Sequence, residues 1–175
     1  MTVLLALTSS VMLSAADTPK PDVVKLLPKN GDVNGWNVYP DTLQYAKGQD
    51  LTNIYNGGYE LYTKNGVIDA VQQMYQRKND TATIVIHRMN SQTEAKSFYK
   101  YWKTTVEKQP SLKQLKITSE GFVYTADGAA NAYLYRDKYF ITVSVYIDSV
   151  KGRGASEEFL KSISAGIGKL LRPKK

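Results

Sequence analysis

The chain has 175 residues, of which 42% are hydrophobic and 22% charged, and its formal net charge is +7. This length and composition suit a single domain with a hydrophobic core and exclude an intrinsically disordered chain. There is no cysteine and a single histidine. Disulfides, thiolate metal sites, a cysteine nucleophile, a lipid anchor on cysteine and multi-histidine metal sites are therefore excluded, and we expect neither a metal nor a cofactor.

Residues 1–16 are predicted to be a secretory leader. They carry no charge, their apolar run is too short to span a bilayer, and they end in Ser14-Ala15-Ala16, which suits cleavage before Asp17. The basic segment that usually opens a leader is missing, so a buried N-terminal helix is the alternative. We expect an exported protein, periplasmic or extracellular, that is soluble after cleavage and has no transmembrane segment.

Residues 17–30 are predicted to form a tether with at most one helical turn, because the segment Thr18–Pro28 contains three prolines. Residues 31–175 are then predicted to form one domain. Two short strands, Trp36–Tyr39 and Leu43–Lys47, open it.

A helix is predicted next. Asp50 is a candidate N-cap, the apolar residues of Leu51–Tyr62 recur at helical spacing, and Asn65-Gly66 is typical of a helix end. Two glycines interrupt this helix, at a cost of roughly 2 kcal/mol relative to alanine. Gly58 falls on the apolar stripe, which predicts a close approach to the sheet and overpacking in Gly58→Leu. Gly57 lies off the stripe, where only a bend or a ligand against bare backbone would explain it.

The rest of the chain predicts a hairpin, a helix, three antiparallel strands and a last helix. The hairpin consists of Ala70–Arg77 and Ala82–Met89, and the helix after it extends from the capping box Ser91-Gln92-Thr93-Glu94 to Glu107. The three strands are Gly121–Tyr124, Ala130–Tyr135 and Tyr139–Asp148. A glycine-rich break at Lys151-Gly152-Arg153-Gly154 then precedes the last helix, whose apolar side carries Leu160, Ile163, Ile167 and Leu170. Short hairpin connections imply an antiparallel sheet of about six or seven strands packed by about three helices, which is the α+β class.

Three features together resemble a known family. They are Leu27-Pro28 followed by Gly35-Trp36, then Asn56-Gly57-Gly58-x-Glu60-Leu61-Tyr62 closed by Gly66, and then an aromatic β-hairpin. They resemble a bacterial exported family catalogued as domain of unknown function 6599, over roughly residues 27 to 148. Tyr59 stands where such families usually have a small residue. The resemblance implies an exported single domain, and it implies no activity, cofactor or site residues.

Two residues are weak catalytic candidates. His87 lies on a predicted strand, on the face of Val85 and Met89, where a hydrogen-bonded structural histidine is the favoured interpretation. Glu60 precedes Lys64 by one turn, so a surface ion pair is favoured. Alternatively, Asn56, Gly57 and Glu60 line a ligand pocket, or Glu60 acts in a hydrolase on a glycan or other polar substrate.

A hydrolase of that kind needs a second carboxylate near Glu60. Asp69, Asp127 and Asp148 qualify by residue type alone. Asp127 is better explained by the tight hairpin turn that Asp127-Gly128 predicts.

The tyrosines and the positive charge suggest binding instead. Tyr133 and Tyr135 share a strand face, Tyr146 is a candidate to join them, and tyrosine-bearing sheet faces can hold sugars or peptides. The charge, densest at Lys169, Arg172, Lys174 and Lys175, favours acidic partners. We therefore expect a non-enzymatic binding or accessory module of the bacterial envelope, with an anionic glycan, a lipid headgroup or an envelope protein as possible partner.

Nucleic acid is not an expected partner. Aromatic residues and lysines alternate in Phe98–Lys103, as they do in some single-strand binders. Helical spacing turns Phe98 and Trp102 inward and leaves Tyr99, Lys100 and Lys103 outward, which favours core packing with a solvated face.

Overall fold

The computed structural model describes residues 21–115, 117, 120–147 and 149–172, with Ser149 and Val150 described by their backbone alone. The predicted leader, the candidate acid Asp148 and the C-terminal Lys174 and Lys175 lie outside these residues. Within them, no helix is both long enough and apolar enough to cross a membrane.

The centre of the domain is one antiparallel sheet. Its strands are β1 (Asn37–Val38), β2 (Gln44–Lys47), β3 (Val67–Arg77), β4 (Asp80–Met89), β5 (Lys113–Gln114), β6 (Gly121–Ala126), β7 (Ala129–Arg136) and β8 (Tyr139–Tyr146). They are ordered β1-β3-β4-β8-β7-β6-β5, with β2 also paired to β3. The predicted α+β class with an antiparallel sheet is confirmed. The described residues contain eight strands rather than six or seven, and the additional strand is the two-residue β5.

Helices cover both faces of this sheet. They are α1 (Asp22–Lys25), α2 (Thr52–Tyr55), α3 (Tyr59–Lys64), α4 (Gln92–Thr105) and α5 (Ser149–Leu170), and a 3-10 turn, Gly48–Leu51, precedes α2. Helices α1 and α5 pack on one face, here called the α5 face, and α2, α3 and α4 pack on the other, the α4 face.

The larger part of the core lies on the α5 face. There Phe159 of α5 packs edge-on against Trp36 at 5.3 Å between ring centroids, and its ring is tilted against that of Tyr75 at 5.1 Å. Val23 and Leu26, from the predicted tether, are buried in the same core. The core therefore begins before residue 31, and the chain from Asp22 onward belongs to the folded domain.

Helix α5 begins earlier than predicted. The segment Lys151-Gly152-Arg153-Gly154, predicted as a flexible break, is helical. A Cβ atom on Gly152 would lie 3.0 Å from both the Ala130 Cβ and the Ile147 Cγ2. Ser156, one turn on, donates a hydrogen bond to the Gly152 carbonyl. Glycine at 152 therefore allows the helix to lie close on the sheet, rather than breaking it.

Replacing Gly152 with leucine should lower the free energy of unfolding by about 2 kcal/mol or more, because the new side chain has no space against Ala130 and Ile147. Chemical denaturation would measure the change. Gly154→Leu is the matched control, since Gly154 lies in the same helix with nothing within 4 Å of its Cβ position. Equal stability of the two variants would contradict the close approach.

The predicted helix over Leu51–Tyr62 is wrong, because the chain forms two short helices separated by Asn56, Gly57 and Gly58. All three residues have left-handed backbone conformations, with φ of +39°, +95° and +77°. Gly58 is exposed, and nothing lies within 4 Å of its Cβ position. Its predicted packing on the sheet is therefore wrong, and backbone conformation explains both glycines.

Gly58→Ala should still destabilise the protein, by about 1 kcal/mol, because an L-residue is strained in the left-handed region. Gly154→Ala is the control with equal space but ordinary helical backbone, and it should be neutral or stabilising. Thermal or urea denaturation of both variants would test this. A Gly58→Ala variant as stable as Gly154→Ala would show that the strain is absent.

Helix α4 begins as its sequence predicts. Ser91 is the N-cap, accepting a hydrogen bond from the Glu94 backbone N–H at 3.2 Å. Ala95 and Phe98 are fully buried against the sheet. Tyr99, predicted to point outward, is also buried, with its ring centroid 5.2 Å from that of Tyr135. The inward stripe of α4 is therefore wider than the spacing of its apolar residues predicts.

Candidate functional site

Among the described residues, helices cover the α4 face of the sheet at one end only. Ala70, His87, Phe140 and Tyr135 lie side by side on four neighbouring strands, and all are at most 8% exposed. Helices α3 and α4 pack over this row. In the next rows toward the opposite end of the strands most side chains are half-buried or exposed, and the buried exceptions are the apolar Val85, Phe122 and Ala129.

We call these rows the open face. It comprises Gln72, Met74, Gln76, Thr81, Thr83, Tyr124, Asn131, Tyr133, Thr142, Ser144 and Tyr146, placed by the strand register. With strands about 4.8 Å apart, the row from Met74 on β3 to Tyr124 on β6 extends about 19 Å across the sheet. Asn37 and Gln44 continue the surface on the edge strands.

No aspartate, glutamate, lysine or arginine belongs to the open face, although the chain carries 23 basic and 16 acidic residues. Charged side chains of the same strands lie on the α5 face instead. There Arg88 pairs with Asp69, and Arg136 donates to the Ser164 hydroxyl of α5 at 2.7 Å. The open face is thus polar but uncharged within a strongly basic protein.

Much of the hydrogen-bonding capacity of the open face is unused. The Ser144 hydroxyl donates to the Asn131 Oδ1 at 2.7 Å, and the Gln72 amide donates to Gln44 at 3.3 Å. This leaves the Asn131 amide N–H groups and the Gln72 carbonyl available. Among the described residues, the side chains of Gln76 and Thr83 make no hydrogen bond, so they too can bind an external partner.

The tyrosines predicted to share one sheet face do share it, but in different environments. Tyr146 is 50% exposed and lies opposite Ala129 at the far end of the open face. Tyr133 lies at its boundary, stacked on Phe122 at 4.8 Å and 5.7 Å from Trp102 of α4, and burial raises the pKa of its phenol. Tyr135 is buried beneath α4, so Tyr146 and Tyr124 are better placed than Tyr135 to contact a ligand.

His87 lies in the covered row, 1% exposed. Its Nδ1 is 2.8 Å from the Phe140 carbonyl oxygen, which can only accept, so Nδ1 carries the proton and Nε2 is a bare acceptor. That Nε2 has no hydrogen-bond partner in the part of the chain that the structure describes. Tyr55 and Tyr62 lie parallel to the imidazole, at centroid distances of 5.9 and 5.6 Å. Burial lowers the pKa of His87 to about 4, so the ring is neutral at pH 7.

Glu60 is exposed in the first turn of α3, and no ion pair joins it to Lys64 among the described residues, so the predicted surface pair is absent. Asn56 ends α2 and Glu60 belongs to α3, so they do not lie one turn apart on one helix. The proposed pocket of Asn56, Gly57 and Glu60 is therefore an exposed turn between two helices.

The acids offered as partners for Glu60 lie elsewhere. Asp69 is on the α5 face, bound to Arg88 and Tyr45, whereas α3 packs on the α4 face. Asp127 occupies the β6–β7 turn with φ of +54°. Among the described residues, no three His, Cys, Asp or Glu side chains are grouped closely enough to hold a metal ion.

Comparison with known proteins identifies a similar fold but no family. No family model matches the sequence, and no curated protein matches it. The fold resembles the extracellular domain of PknH from Mycobacterium tuberculosis. That crystal structure matches with a TM-score of 0.59 at 9% identity, covering 84% of this chain and 95% of the other. At this identity the likeness concerns the fold alone, and the resemblance to family 6599 stays a prediction.

The open face could be only partly anticipated from sequence. Alternation in Tyr139–Tyr146 places Phe140, Thr142, Ser144 and Tyr146 on one side, as the structure does. The pairing of β8 with both β4 and β7, which assembles the uncharged rows, requires a register that the sequence does not specify.

Proposed function

We propose that this protein is an exported, non-enzymatic binding module that holds an uncharged, hydroxyl-rich ligand, a neutral glycan, on its open face. The absence of charge from that face in a chain of net charge +7 is the observation that carries the proposal. The fold likeness to an extracellular domain supports the exported setting.

The chemistry of the open face fits a sugar better than an acidic partner. Amides of Asn131, Gln72 and Gln76 and the Thr83 hydroxyl can donate to and accept from sugar hydroxyls. The half-exposed Tyr146 ring offers an apolar plate for a sugar ring and a phenol at its tip. An anionic glycan would find no cation on this face, so the ligand expected here is neutral.

The hydrolase alternative has less support. Glu60 has no carboxylate partner among Asp69 and Asp127, and His87 is buried beneath tyrosine rings. A general acid and base must both reach the reacting atoms. Neither Glu60 nor His87 belongs to the open face, so binding without catalysis is the better account of this surface.

Replacing Tyr146 with alanine should weaken binding of a neutral oligosaccharide about tenfold, which corresponds to about 1.4 kcal/mol, because the exposed ring stacks on a sugar. A screen on a glycan array would supply the ligand, and calorimetric titration of purified protein would measure the affinity. Affinity should change little between low and high salt, since no charge pairs form.

Tyr101→Ala is the matched control, since Tyr101 is 44% exposed and lies on α4, outside the open face. The proposal predicts unchanged glycan affinity in that variant. An array without any neutral glycan ligand would refute the proposed function. So would binding that Tyr146→Ala leaves intact, or binding that high salt abolishes, which would place the ligand on the basic surface instead.

A further inference from the structure

We propose that a second site, separate from the open face, binds a free single-chain anionic amphiphile of the fatty-acid type. It is a groove of about 640 Å³ between α1 with the segment that follows it, the β1–β2 edge and β3. This volume falls within the range of small-molecule sites in proteins. Apolar walls come from Val24, Leu27, Val38 and Leu43, with Tyr75 beneath them.

The two buried polar side chains in this groove, Gln73 and Tyr75, are already hydrogen-bonded within the protein. Tyr75 donates its phenol hydrogen to the Pro28 carbonyl at 2.9 Å. The Gln73 amide donates to the Thr42 hydroxyl at 2.6 Å and to the Tyr39 carbonyl at 3.1 Å. A ligand lying along these walls therefore finds few free hydrogen-bonding groups, and an apolar chain fits them better than a polar one.

The groove leaves part of its apolar wall exposed to water at Leu43. It is 51% exposed, although it lines an apolar groove next to Val38. An acyl chain along the groove would remove this leucine from water, which is favourable in proportion to the apolar area buried.

The charge at the groove specifies the head of the ligand. Lys25 and Lys29 line it, and no carboxylate does. The Lys25 ammonium is held by Asp22 at 3.0 Å, whereas the Lys29 ammonium makes no ion pair with any described residue. An anionic head at the Lys29 end would therefore be attracted, while a cationic head would be repelled. Because the apolar walls enclose a groove of about 640 Å³ rather than form a flat surface, a free amphiphile fits them better than a bilayer surface does.

Calorimetric titration of the purified protein with decanoate, below its micelle concentration, tests the site. We expect saturable one-to-one binding that Leu43→Ser weakens about tenfold. Leu171→Ser, at a leucine that is 49% exposed elsewhere, is the matched control and should leave the affinity unchanged. Both leucines are exposed, so both variants should fold, and circular dichroism would verify this.

The role of charge is tested with Lys29→Ala, which should weaken decanoate binding about fivefold and leave 1-decanol binding unchanged. Lys100→Ala, on α4, is the control for loss of one exposed lysine. The proposal is overturned if decanoate does not saturate, if Leu171→Ser weakens binding as much as Leu43→Ser, or if Lys29→Ala has no effect. Sedimentation with phosphatidylglycerol vesicles in the absence of decanoate binding would overturn it in favour of a membrane contact.

Discussion

Arg88→Met should lower the free energy of unfolding by about 3–5 kcal/mol, because it leaves a buried carboxylate without its countercharge. Asp69 is 1% exposed on the α5 face. Arg88 donates from its Nε at 3.1 Å and from a terminal nitrogen at 2.6 Å to the two oxygens of that carboxylate. The Tyr45 phenol, at 3.0 Å, would be the one remaining side-chain donor among the described residues.

Urea denaturation of three variants would separate this effect from ordinary loss of an ion pair. Lys161→Met breaks the exposed pair with Glu157 on α5, and it should cost less than about 1 kcal/mol. The double variant Asp69→Asn with Arg88→Met removes the buried charge together with its partner, so it should recover much of the stability lost in the single variant. If Arg88→Met lost no more stability than Lys161→Met, the buried Asp69 carboxylate would not require its countercharge.

Acid should destabilise the protein through His87 by about 3 kcal/mol. The pKa of this residue is about 4 in the folded state and 6.5 in the unfolded chain, and one pKa unit corresponds to about 1.4 kcal/mol. Between these two values the unfolded chain binds the proton and the native state does not. Stability is therefore complete above pH 6.5, falls as the pH is lowered toward 4, and loses nothing further through this residue below 4.

The single histidine makes the measurement direct. Its proton signals can be followed by NMR from pH 7 to 3.5, and urea denaturation at the same pH values gives the free energy of unfolding. His87→Gln keeps a donor for the Phe140 carbonyl but cannot titrate, so its stability should fall less over this range than that of the unmodified protein. Equal pH dependence of the two proteins, or an NMR pKa near 6.5, would show that burial does not suppress protonation.

Elements whose structure is determined by a few adjacent residues are predicted correctly from the sequence. Asp127-Gly128 predicts a tight hairpin turn, and both residues have positive φ between β6 and β7. The capping box at Ser91 gives the start of α4. In each case a few adjacent residues satisfy the backbone requirements themselves, so distant contacts were not needed for the prediction.

The sequence does not predict the structure where a residue is required by its backbone conformation or by a contact distant along the chain. Apolar spacing cannot show that Asn56, Gly57 and Gly58 adopt left-handed conformations, so one helix was predicted in place of two. The glycine-rich sequence around Gly152 predicts a break, whereas Gly152 lies inside α5, where Ala130 and Ile147 occupy the space that a side chain would need. The glycine that permits close helix packing is thus 94 positions beyond the one predicted to do so.

The order of the strands also has a kinetic consequence. The sheet consists of a β3–β4 hairpin and a β6–β7–β8 meander, and these meet along one line, where β4 pairs with β8. Each unit closes through short turns, whereas Arg88 and Tyr139 at the near end of that line are separated along the chain by α4, β5 and the first two strands of the meander. Joining the units must close this long loop, so we expect their docking to limit the folding rate. His87, hydrogen-bonded to Phe140 across that line, is the natural spectroscopic reporter of the step.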